Sequence, residues 1–388
     1  MAAESKQAKW PDAFLDEMRL AGDPLADDAV AALFEAGGIF SVWELMKKLI
    51  QNDHPVPDQL PVQLKSYLES ASEISPVRHA VVEHGQRLFE RCGPEILVVL
   101  ACYSLPASYA ARKGVQVLYR TGYLNNRPNH RLFETAQMIM DVLAPGGLEP
   151  TGRGIRTAQK VRLMHAAIRR LLLTDPERPW DKELGVPINQ EDLAGTLMVF
   201  TFLIIDGLHR LGIDTSDQEQ QGYLETWRII ARIIGVQEAL IPDNMAEAKQ
   251  LCDVIQRRQV QPCPEGKAMN DALLKMMEHK LLPGRFRRWP ASLMRHFLPA
   301  EIADGFAIPR HEFEEHALQS AVAFMGEREQ TKLETNRHLQ VLRKCSLLLL
   351  RGMVSAELGG KRTPFILPTN LHHGWAQSHR MKLWPRPR

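Results

Sequence analysis

The stretch from Arg156 to Leu173, RTAQKVRLMHAAIRRLLL, constrains the fold more than any other part of the chain. With each residue turning a helix by about 100°, Val161, Met164, Ile168, Leu171 and Leu172 share one side. An apolar face of that width must be covered by other elements, so this helix belongs inside a multi-helix body. His165 falls at the border of the apolar face. Arg162 and Arg169 lie within about 60° of it on the same wheel.

The rest of the chain repeats the helical pattern. To about Ser75 it reads as short amphipathic helices joined by polar, Pro-containing loops. Asp27-Asp28 precede AVAALFEAGG, FSVWELMKKLI keeps helical spacing, and QNDHPVPDQLP is a loop. Val81 to Phe89 is a further helix, Gly93-Pro94 punctuate the chain, and EILVVLACYSL is apolar enough to be buried on most sides. Pro128 and Asn129 start a helix through RLFETAQMIMDVL, which Pro145-Gly146-Gly147 end. TDPERPWD closes off the His165 helix. Asn189 to Asp192 then cap an apolar helix from Leu193 to about Leu211, which stops at Gly212. Ser216 and Glu219 have capping-box spacing ahead of YLETWRIIARIIGV, and MAEAKQLCDVIQRRQ is another amphipathic helix. A late, interrupted helix is expected over roughly Pro309 to Arg351, followed by an irregular packing arm through TPFILPTN and KLWPRPR.

No internal repeat or alternating strand pattern is present. The expectation is an all-α fold, a single large multi-helix domain over 1–388. Within it, 1–78 form an N-terminal helical extension, 79–300 the core, and 301–388 a C-terminal helix and arm.

Composition removes several function classes. Net charge is +2 over 388 residues, with 45% hydrophobic and 24% charged residues, which does not suit a general nucleic-acid or membrane-surface binder. The five Cys form no C-x-x-C pair, so neither a disulfide framework nor a zinc site is indicated, and a reducing compartment suits them. MAAESKQAKWPDAF has no apolar core of the kind a secretion signal needs. The longest largely apolar run, Leu193 to Ile205, is too short to span a bilayer as a helix. A cytoplasmic setting is expected. Dinucleotide, P-loop, nucleophile-elbow, HExxH and EF-hand signatures are all missing. Oligomeric state leaves no trace in the sequence.

Two constellations could carry chemistry. An imidazole turned inward beside two guanidinium groups suits an iron porphyrin, the ring nitrogen on the metal and the arginines on the propionates. A His at an apolar helix edge is also ordinary for a core or rim residue, with the arginines as solvated charges. In RLFETAQMIMDVLAPGG, Arg131, Thr135, Met138 and Val142 make one helical stripe with Glu134 at its edge. That stripe could line a pocket, or Arg131 and Glu134 could be a surface pair.

The succession GPEILVVLACYSLPASYAARKGVQVL, RLFETAQMIMDVLAPGGLEPTGRGIRTAQKVRLMHAAIRR and NQEDLAGTLMVFTFLIIDGLHRLG resembles the latex-clearing protein and MpaB-type oxygenase family. The likeness covers roughly Arg91 to Gly235 and continues more weakly to about Pro299. It implies an all-α protein that holds b-type haem and uses dioxygen on a hydrophobic small molecule. The family's rubber-cleaving members cut an isoprenoid C=C bond into two carbonyl ends. The resemblance makes His165, in RLMHAAIR, the proximal haem ligand, and matches Arg162 and Arg169 to the arginines of the same motif, where they anchor propionates or hold the helix. Arg131 and Thr135 match a distal Arg and Thr. On this reading Arg131 donates to dioxygen as negative charge develops and Thr135 orients that donor or a water. Arg295, in SLMRHF, is the more distant match to a further functional Arg at the cofactor.

Two departures separate the chain from the rubber-cleaving pattern. Those members place a Lys between the distal Arg and Thr, where this chain has Glu134, a candidate acid/base. They are also secreted, and no export signal is read here. Both argue against polyisoprene and leave haem binding intact. The expected activity is a b-haem-dependent oxygenase on a hydrophobic, unsaturated or isoprenoid-like substrate. A haem peroxidase or monooxygenase on a small molecule stands as one alternative, a non-enzymatic haem-binding or helical interaction protein as another.

Overall fold

The computed structural model describes residues 9–35, 62–70, 79–121, 128–150, 152–281 and 287–320. Among them no strand forms, and Ala111 and Val260 make an isolated bridge. The expected helix in FSVWELMKKLI, the QNDHPVPDQLP loop and the chain beyond 320 lie outside the described residues.

Helix α1 (Asp12–Leu20) leads into α2 (24–35), and α3 (Val62–Ser70) follows. Helix α4 (His79–Val99) is longer than its sequence suggests. Gly93-Pro94 bend it instead of ending it, the non-helical turn falling at Cys92 (φ −124°, ψ 20°). A π-type turn at Leu100–Ser104, fully buried, joins α4 to α5 (Leu105–Tyr109), and α6 (Val115–Arg120) follows. Next come α7 (Pro128–Leu143) and α8 (Arg153–Leu173), the latter carrying His165.

The apolar run after Asn189 is expected as one helix. The structure divides it at Thr201 (φ −112°, ψ −84°) into α9 (Gln190–Phe200) and α10 (Phe202–Arg210). The Thr201 hydroxyl donates to the Leu197 carbonyl at 2.7 Å, a back-bond that bends helices without Gly or Pro. Gln190–Arg210 as a whole is long and apolar enough to cross a membrane, yet well over half of it is buried inside the fold. Helix α11 (Asp217–Ile234) opens with the expected capping box between Ser216 and Glu219. Helices α12 (Met245–Gln259), α13 (Pro264–Met276), α14 (Trp289–Phe297) and α15 (Ala300–Gly305) complete the named elements.

Helix α11 lies along α4, and glycines let the two backbones touch. A Cβ on Gly85 would meet the Gly222 carbonyl at 2.7 Å, and one on Gly222 would meet the Val81 carbonyl at 2.4 Å. Around this pair grows the main apolar core, with Phe89, Ile96, Tyr223, Trp227 and Ile230 all essentially inaccessible. A smaller cluster joins α2 and α3 to the second half of α8 through Ala29, Phe34, Leu64, Leu163, Ala167 and Leu171. Helix α8 thus serves both clusters. Ile155, Ala158 and Val161 belong to the first, Leu163 onward to the second. Each fully buried aliphatic or aromatic side chain contributes about 1.5–3 kcal/mol, so apolar packing outweighs the surface ion pairs.

Candidate active site

Helices α5, α6, α8, α9 and α12 surround a cavity with about 230 Å³ of interior volume. A single water needs roughly 10–15 Å³ in the same measure, so the space suits a sizeable organic molecule. Its wall is mostly apolar: Leu105, Val117, Ile168, Leu193, Phe200 and Ile255 contribute. Phe200 stacks on Trp227 with ring centroids 4.9 Å apart, tying the wall to the main core.

His165 borders this cavity, flanked by Met164 and Ile168 of the same helix, and its Nδ1 is buried. Thr135 of α7 borders it too. The structure therefore brings His165 and Thr135 to one chamber although 30 positions of sequence separate them. Arg131 lies one turn before Thr135 in α7, and its side chain is outside the described residues.

Other expected site residues stand elsewhere. Glu134 is buried but does not border the cavity. Neighbouring side chains on a helix diverge by about 100°, so turning Thr135 to the cavity takes Glu134 off its wall. Arg162 reaches away from the cavity to Asp23, in a forked pair of 2.5 and 2.7 Å, and lies over the Tyr67 ring at 5.5 Å. Burial would lower its pKa, but Asp23 overrides this and raises it. Gly235 makes room for the pair. At φ +91° it occupies the left-handed region, and a Cβ there would come within 2.6 Å of Asp23 Oδ2.

Arg169 is likewise turned from the cavity, into a salt bridge with Asp27, and it donates to the carbonyls of Pro187 at 2.9 Å and Ile188 at 3.0 Å. Burial raises the Asp27 pKa against the pull of Arg169. Ile188 itself borders the cavity with φ +53°, a strained conformation for a β-branched residue. Arg169 thus fixes a piece of the cavity wall. Arg295 donates to the Ile308 carbonyl at 2.8 Å and to Asp304 at 2.5 Å, tying α14 to the turn after α15. None of these three arginines borders the cavity. Of the two roles expected for Arg162 and Arg169, anchoring propionates or holding the helix, these contacts serve the second, and Arg295 likewise holds a turn in place.

Sequence reasoning missed a buried charged cluster on the opposite wall. Glu191, wholly inaccessible, accepts from Arg19 Nη1 at 3.1 Å, Arg258 Nε at 2.7 Å and Gln259 Nε2 at 3.0 Å. Asp192 accepts from the same Arg19 nitrogen at 3.1 Å and from Asn189 Nδ2 at 2.9 Å. Glu191, Asp192 and Gln259 all border the cavity. Burial raises the Asp192 pKa, with Arg19 opposing. The thiol of Cys252, on the same wall, is pushed up to about 12 by burial. In the sequence Glu191 and Asp192 read only as first-turn acids of a capped helix. Their partners Arg19, Arg258 and Gln259 are too distant along the chain for any spacing rule to find.

Comparison with known proteins agrees with this architecture. The family model for the catalytic domain of ER-bound oxygenase mpaB/B′ and rubber oxygenase matches residues 96–327. The rubber oxygenase of Streptomyces sp. (strain K30) is 27% identical over 311 residues, covering 77% of this chain and 74% of that protein. The solved structure of latex clearing protein in the closed state superposes with a TM-score of 0.71 at 22% identity, over 87% of this chain and 91% of that one. With more than half of its residues inside the family model, the chain belongs to the mpaB and rubber-oxygenase family and is an oxygenase.

Proposed function

We propose that this oxygenase depends on b-type haem, which His165 would hold through a ring nitrogen on its iron, and that it acts with dioxygen on a hydrophobic, unsaturated or isoprenoid-like small molecule. The observation that carries the reading is the position of His165 on the wall of a large apolar cavity that Thr135 also borders. The donor set fits the group. Among the described residues no cluster of three His, Cys, Asp or Glu could hold a bare metal ion. Among the described residues, one imidazole beside a mostly apolar chamber suits a metal that comes already held in an organic ring. When bound, haem supplies the dioxygen chemistry.

The chain's own residues supply the setting. His165 provides the ring nitrogen, while Met164 and Ile168 beside it keep water from that side of the chamber. Thr135 contributes a hydroxyl that can orient a water or hold a proton. Arg131, one turn earlier on α7, is proposed as the cation that stabilises negative charge developing during oxygen reduction. Arg169 holds the strained Ile188 against the cavity. The placement of Glu134 gives no support to a direct acid/base role. A cytoplasmic setting is part of the same proposal, on the ground that the five Cys of the sequence form no C-x-x-C pair.

The test is the visible absorption of the purified protein, oxidised, reduced and with carbon monoxide, beside that of His165→Ala. A strong Soret band in the parent that His165→Ala loses or shifts is the expected outcome. A parent that stays colourless when produced with ample haem would overturn the proposal.

A further inference from the structure

The cavity has one polar corner that the oxygen chemistry does not use. Asp192 stands in the first turn of α9, its Oδ1 on Arg19 and its Oδ2 on Asn189. A carboxylate accepts about four hydrogen bonds, so acceptor capacity remains. The side chain keeps 18% of its surface exposed, and the residue borders the cavity. Gln259, on the same wall, spends its amide N–H on Glu191, while its Oε1 is buried with no hydrogen-bond partner. The amide orientation is fixed, because a flipped Oε1 would face a carboxylate that can only accept. Three hydroxyls on the wall donate their protons to backbone carbonyls: Ser108 to Leu105, Thr121 to Leu118 and Thr196 to Asp192. Arg19 and Arg258 hold the corner from behind through Glu191. A corner with a part-exposed carboxylate and a buried, unpartnered amide oxygen in a mostly apolar chamber is built for a ligand that brings a donor.

We propose that Asp192, with Gln259, selects substrates whose apolar chain ends in a hydrogen-bond donor, a hydroxyl above all, and so fixes which part of the chain lies beside His165. The proposal rests on reading this cavity as the substrate site of the oxygenase. A pure hydrocarbon of the same length would leave the part-exposed Asp192 carboxylate against methylene groups. Sites that hydrogen-bond a hydroxyl reject the analogue lacking it far more strongly than apolar pockets reject a missing methylene.

The test uses direct binding, so that it does not depend on turnover. The purified full-length protein is titrated calorimetrically with geraniol and with geranyl methyl ether, which keeps the chain and the oxygen but loses the donor. The parent is expected to bind geraniol about tenfold to a hundredfold more tightly, the range for one hydrogen bond to a charged group. In Asp192→Asn an amide N–H replaces an acceptor, and the ratio is expected to fall toward one. A parent that binds both alike, or binds neither, overturns the proposal. So does a folded Asp192→Asn with the parent's ratio. The parent's ratio decides even where the variant does not fold. The Soret band, read on the same sample, separates the two claims. A colourless protein that still prefers geraniol sinks haem dependence but not the donor preference. A haem-loaded protein with no preference does the reverse.

Discussion

The two flanks of the helix around His165 are built on opposite terms. On one side Met164 and Ile168 border the cavity. On the other, Arg162 and Arg169 are held by Asp23 and Asp27. Taking His165 as zero, Met164 and Ile168 lie at about −100° and −60° on the wheel, and the arginines at about +60° and +40°. The imidazole is the boundary between a flank with its interior left open and a flank with its charges closed by carboxylates. A haem ligand needs both: space in front, and a support that does not let the ring drift.

The closed flank is where substitution should cost most. Arg169→Ala removes the partner of half-buried Asp27 and the donor to two carbonyls. Breaking a fully buried pair from one side costs about 3–5 kcal/mol; with Asp27 35% exposed, urea denaturation should show a loss below that range but well above an exposed pair's ~1 kcal/mol. Release of Ile188 from its strained conformation should return a small part. If the comparison of flanks and the proposed haem binding both hold, the folded fraction of Arg169→Ala shows the same haem absorption as the parent. A variant of full stability with no haem would mean that Arg169 meets the cofactor after all.

What the sequence reveals follows the same division. Helix ends are written in local chemistry, so the Ser216–Glu219 box, the stop at Gly212 and the start at Pro128 are all readable. The break at Thr201 is not, since it depends on a hydroxyl choosing the Leu197 carbonyl and a buried setting that keeps it there. Spacing alone leaves His165 and Thr135 open between site and ordinary core residues; the family resemblance singles them out, and both border the cavity. The arginines are legible as a type but not as a direction. Their spacing about His165 suits propionates and equally suits the carboxylates that α2 and the turn before it bring across. Asp192 shows only as a capping acid, because the Arg19 that makes it part of a buried cluster comes from α1.

Asp192 sharpens the comparison from the open side. Burial raises its pKa in the folded protein, with Arg19 pulling the other way. A carboxyl raised on folding stabilises the fold while protonated. That contribution is full below the ordinary value of 3.8 and is lost as pH rises through the folded value. Asp192→Asn is neutral throughout and escapes the loss. Its stability relative to the parent should therefore climb as pH rises from below 3.8 through the raised value and then level off. Urea titrations at a series of pH values measure this. A relative stability that falls over the window would mean that Arg19 and Asn189 more than compensate for burial.

The smallest effect belongs to Arg295, which the family resemblance places at the cofactor and the structure places on Asp304 and the Ile308 carbonyl. The Asp304 pKa is lowered, chiefly by its hydrogen bond from Arg295. That part of the interaction is present above the ordinary carboxylate range and lost as pH falls through the lowered value. Because Asp304 is exposed, the ion pair is screened, and the hydrogen bond to the buried turn, worth on the order of 1 kcal/mol, is the larger share. Arg295→Ala should therefore lower the thermal midpoint slightly and, on the proposed haem reading, leave the Soret position and haem content unchanged. A spectral shift with unchanged stability would instead return Arg295 to the cofactor, and would require the α14 end to reach the cavity through a conformation other than this one. The two readings differ in which observable moves, so one variant measured by two methods decides between them.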